Sequence, residues 1–129
     1  MNKIVLQVLD KLSMQGQQLY ITPQNLIEFF AVATRDVSMN GLGMSPLDAY
    51  QVMTNMEKLF SLLPDREEIF TEWRRLVVAY GILGLNVHDA RLVAVMLTYG
   101  ITHLLTFDLK DFQVYKNILA ISPKTLLHG

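Results

Sequence analysis

The stretch from Asn86 to Phe112, NVHDARLVAVMLTYGITHLLTFDLKDF, decides the fold. A helix-length segment runs to a stop at Gly100, THLLTF follows as an apolar strand, and Asp108 and Asp111 come just beyond it. Parallel α/β proteins gather their chemistry at the carboxyl ends of strands. Asp108, directly after a strand, and Asp89, at a helix start, therefore outline a carboxylate cluster.

Working outward, each flanking segment adds a helix or a strand. Ile4, Val5, Val8, Leu9 and Leu12 make a one-sided stripe that predicts an amphipathic helix ending near Gly16. QLYI reads as a short strand. Thr22-Pro23 then supplies an N-cap and a first-turn proline for a helix through LIEFFAVAT. RDVSMNGLGMSP is a loop by its Asn40-Gly41 turn, and Ser45 with Asp48 three places on resembles a capping box for a helix whose inner face is Ala49, Val52, Met53, Met56 and Leu59. Phe60 to Leu63 reads as a strand closed by Pro64. Asp65 and Glu68 are expected to cap the next helix, with Ile69, Trp73, Leu76, Val77 and Tyr80 turned inward. Leu119 to Ile121 is a last short strand, and TLLHG reads as a frayed tail. Helices alternating with strands predict a three-layer α/β/α fold on a parallel sheet, as one domain over 1–129.

Composition narrows the function classes. A chain of 129 residues with 51% hydrophobic content can bury a core. It has no cysteine, which excludes disulfides and thiolate zinc sites but leaves hard-metal sites open. A formal net charge of -1 argues against nucleic-acid binding through a broad basic surface, so a local basic patch or a bound cation has to compensate. The absence of a long apolar run argues against a membrane span, and MNKIVLQVLDKL does not read as a signal peptide. The expected address is the cytoplasm.

Glu28, within the apolar helix LIEFF, joins Asp89, Asp108 and Asp111 as a candidate acid, unless it faces solvent from a polar strip. Carboxylates held together need a countercharge, and Mg2+ or Mn2+ is the usual one. Each acid also has a structural explanation. Asp89 suits a helix start, Asp108 can cap LKDF, and Asp111 can pair with Lys110 or Lys116. Arg74 and Arg75 are either phosphate contacts or a solvated edge. His88 and Asp89 are adjacent on a helix and do not face each other. The sequence carries no glycine-rich phosphate loop, serine nucleophile motif or metal-spaced histidine pair.

HDARLVAVMLTYGITHLLTFDLKDF resembles the carboxyl half of a PIN domain, and ITPQNLIEFFAVATR followed by NGLGMSP resembles the middle of one, in the style of VapC-type toxins. The resemblance implies a metal-dependent endoribonuclease, often a dimer, neutralised by a cognate antitoxin. By position it implies metal-ligating and catalytic roles for Glu28, Asp89 and Asp108, a metal role for Asp111, and a supporting role for Thr106. Arg74, Arg75, Arg91 and Lys110 are candidate RNA contacts. Such domains open on a central strand that ends in an Asp-Thr-Asn-like motif, and nothing here corresponds to it: Asp10 lies on the helix that should follow. The expectation is a PIN-like fold without its first central strand, working either as a ribonuclease or as an impaired relic that serves as a protein-interaction module.

Overall fold

A computed structural model describes the backbone of residues 3–128 and the side chains of residues 6–127. The first helix, α1 (Lys3–Met14), is followed by β1 (Tyr20–Ile21), α2 (Pro23–Thr34), a 3-10 turn (Val37–Met39), α3 (Pro46–Leu59) and β2 (Ser61–Leu62). Then come α4 (Glu67–Ala79), α5 (Asn86–Tyr99), β3 (His103–Leu105), α6 (Leu109–Phe112), β4 (Leu119–Ile121) and α7 (Pro123–His128). These elements form two compact units, one contiguous over Gln18–Asp65 and one built from Met1–Gln17 with Arg66–Gly129.

In the contiguous unit, β1 and β2 pair in parallel, Tyr20 opposite Ser61 and Ile21 opposite Leu62. The start of α2 is fixed by a reciprocal cap. The Thr22 hydroxyl accepts from the Asn25 amide at 3.1 Å, and Asn25 Oδ1 accepts from the Thr22 amide at 2.9 Å. Thr22 is a buried polar residue, and this exchange satisfies it. The following loop folds back on the end of α2: the amides of Leu42, Gly43 and Met44 donate to the carbonyls of Val32, Arg35 and Ala33 at 2.8–3.0 Å. A Cβ at Gly41 would overlap the Arg35 carbonyl, so only glycine fits there. Ser45 caps α3 by accepting from the Asp48 amide at 3.1 Å. Leu59, expected inward, is 71% exposed, because it closes the last turn of α3.

In the second unit, α5 is the central helix. Val93, Ala94, Val95 and Met96 are buried at four consecutive positions, which covers the whole helix circumference. The helix ends at Gly100, in the left-handed conformation that favours glycine. Packed against α5 is α4, which buries Ile69 and Leu76. Parallel strands β3 and β4 pair with His103 opposite Leu119 and Leu105 opposite Ile121. Two expectations are corrected here. The N-cap of α4 is Arg66, with no side-chain cap bond, and not Asp65 with Glu68. Nor is TLLHG a frayed tail: Pro123 is fully buried, residues up to His128 are helical, and Lys11 Nζ donates to the Leu126 carbonyl at 2.7 Å, while Gly129 lies outside the described residues.

The α/β class and parallel strand direction agree with expectation. The described strands form two separate two-stranded parallel sheets.

Candidate functional site

Asp108 is held by its own neighbourhood. It follows β3 and occupies the N-cap position of α6, yet its carboxylate makes no cap bond. Instead the Asp108 amide donates to Thr106 Oγ1 at 3.0 Å, and its carbonyl accepts from the Asp111 amide at 3.2 Å. Backbone contacts thus fix the residue while the carboxylate stays exposed to solvent. Asp108, Lys110 and Asp111, with Phe107 and Gln113, line a depression of about 570 Å³. A cationic side chain among acids at a strand end suits a phosphate approaching a carboxylate site.

Asp89 sits in the first turn of α5, half-buried, where the buried body of the helix fixes its position. Its surroundings include an aromatic pair, Tyr80 and Tyr115, with ring centroids 5.1 Å apart. Burial pushes the Tyr115 phenol above its ordinary value, and the negative charge of Asp89, then that of Tyr80, add to the effect. Tyr115 is the residue the sequence reading passed over. It lies in an irregular segment between α6 and β4, and no periodicity marks it as part of the Asp89 environment.

Glu28 lies on α2 in the contiguous unit, exposed, accepting from Gln24 Nε2 at 3.3 Å. Its carboxylate therefore points to water, the structural alternative weighed for it. Arg75 is bound to Glu72 by contacts of 2.6 and 2.9 Å, which raise its pKa. Arg74 lies over the Phe70 ring, 5.5 Å from its centre. Adjacent in sequence, the two arginines have different tasks.

Carboxylate oxygens are the right donors for a hard cation. Among the described residues, however, no three Asp, Glu or His side chains are grouped so that they could hold a metal ion.

The chain belongs to the PIN domain family, whose model matches residues 2–117. Within that family the fold is similar to the toxin-antitoxin structures called VapBC. The DNA-bound VapBC from Salmonella typhimurium aligns with a TM-score of 0.67 at 13% identity, covering 95% of this chain and 86% of that one. VapBC-1 from nontypeable Haemophilus influenzae aligns with a TM-score of 0.66 at 12% identity, covering 92% of this chain and 86% of that one. No curated protein matches the chain. Among the described residues no helix is long and apolar enough to cross a membrane.

Proposed function

We propose that the chain is a PIN-type endoribonuclease of the VapC kind, hydrolysing RNA phosphodiesters in the cytoplasm, paired with a cognate antitoxin and assembled as a homodimer. The observation that carries this reading is Asp108. Its backbone is fixed by Thr106 and α6 and its carboxylate is left uncommitted, just beyond the end of β3. Asp89, on the buried central helix, is the second acid of the site. Lys110 and Arg91 are the phosphate contacts, and Thr106 sets the direction of Asp108. Likeness to VapBC complexes supports the antitoxin partner.

Mg2+ or Mn2+ is the cofactor this reading expects, with Asp89, Asp108 and Asp111 as its ligands. The lack of an assembled three-ligand group among the described residues favours a second reading, an impaired PIN relic that binds other proteins. One experiment separates the two. The purified chain is titrated with Mn2+ by calorimetry and assayed on RNA, beside Asp108→Asn. Binding heat, with cleavage lost in the variant, supports the nuclease. No heat and no cleavage refute it.

A further inference from the structure

A second cavity, away from Asp108, lies on the packed pair α4 and α5. It has a volume of about 340 Å³, within the range of small-ligand sites. Its walls combine two chemistries. Phe70 and Trp73 are stacked with ring centroids 5.7 Å apart and planes 24° from parallel, and the Trp73 indole is locked by donating to the Val87 carbonyl at 2.7 Å. Arg66, His88 and Arg91 bring nitrogen donors to the same cavity.

Arg66 is held by exchangeable contacts: an exposed pair with Glu68 at 3.4 Å and a position over the Tyr99 ring, 5.2 Å from its centre. Exposed ion pairs of this kind contribute little, so a phosphate can take Glu68's place. A flat rigid aromatic wall beside guanidinium groups matches a nucleotide: the base stacks and the phosphate meets the cations. An acidic peptide would use the cations but not the stacked wall. Trp73 and Phe70 sit one helical turn apart on α4, while His88 and Arg91 lie three apart on α5, so each helix presents one face to the cavity. His88 also adjoins Asp89 in the chain, so a strand seated here passes the acid-bearing end of α5.

The geometry points to this cavity as a subsite for one unstacked nucleotide of single-stranded RNA, its base on Phe70 and Trp73 and its phosphate on Arg66 and Arg91. The assignment rests on RNA being the ligand, as proposed above. It extends that reading by making an unpaired base a requirement for binding.

Trp73 is the chain's single tryptophan, so its emission reports the cavity directly. The full chain, free of added metal, is titrated with a 2′-O-methyl oligoribonucleotide, with an abasic oligomer of the same length and charge, and with an acidic peptide. The expected result is saturable quenching by the base-bearing RNA alone. Phe70→Ala, at an exposed position, should weaken it roughly 5- to 150-fold, the range of one base–aromatic stack, with an unchanged circular dichroism spectrum. Arg66→Ala should also weaken it and reduce its salt dependence. Equal quenching by the abasic oligomer, quenching by the peptide alone, or no saturable quenching overturns the assignment. The 2′-O-methyl strand cannot be cleaved, so RNA cleavage without quenching refutes the subsite alone, and quenching without cleavage refutes the nuclease alone.

Discussion

Replacing Thr106 by valine removes one oxygen and preserves the branched shape, so it isolates the bond from the Asp108 amide to Thr106 Oγ1 at 3.0 Å. A neutral hydrogen bond contributes about 0.5–1.5 kcal/mol net. Asp108 is exposed, and water can reach the released amide, which places the cost at the lower end. The expected loss of stability is about 0.5 kcal/mol, or roughly 2 °C in Tm for a domain of this size. Function should respond far more. The hydroxyl fixes the backbone from which the Asp108 carboxylate projects, and misplacing a reacting group by about 1 Å can cost on the order of 100-fold in rate. Thr106→Val should therefore cut RNA cleavage roughly 10- to 100-fold with a nearly unchanged melting curve, and Thr106→Ser, which keeps the acceptor, should restore most of it. Hydrogen exchange at the Asp108 amide should accelerate in the valine variant only. Cleavage at the parent rate, or a serine variant as impaired as the valine one, would falsify the positioning role.

Gly41→Ala should destabilise by about 2–3 kcal/mol, since the added methyl meets the rigid Arg35 carbonyl; a denaturant midpoint equal to the parent's would contradict this. Tyr115 gives a pH signature. Its folded pKa is raised, so the native state holds the proton that the unfolded chain releases, and its stabilising contribution is complete below about pH 10 and lost as pH rises through the folded value. Asp89→Asn removes one of the charges behind that shift, so ultraviolet titration should show one tyrosine ionising at lower pH; an unchanged curve would separate Asp89 from Tyr115. Lys11→Met should cost about 1 kcal/mol by deleting the donor to Leu126, with faster amide exchange across α7 as its mark, and no change in exchange would show that α7 is held by other contacts.

Much of the fold was legible because local chemistry sets it. Thr22-Pro23, Ser45-Pro46 and Gly100 mark helix ends through bonds within a few residues, and each marks one here. The helix-length run before Gly100 forms the helix expected, buried at Val93 to Met96. Where reading failed, distant residues decided. The segment TLLHG looked like a frayed tail because Lys11, which bonds Leu126 within it, lies at the other end of the sequence. Asp65 and Glu68 had the right spacing for a cap, but the helix starts one residue later and Glu68 turns to Arg66. Strand pairing was equally hidden: one sheet was expected, and the described residues form two parallel pairs. The acids at Asp89 and Asp108 were visible from their places beside helix and strand, whereas the cavity of Arg66, Trp73 and Arg91 needs two helices in contact before it exists.

The bond from Lys11 to Leu126 also imposes an order in time. The two residues are 115 positions apart, a gap of roughly 6–23 s at the ~5–20 residues per second of synthesis. The contiguous unit, Gln18–Asp65, is complete long before Leu126 is made. The helix α7 can meet α1 only after the segment bearing Asp89 and Asp108 has been made.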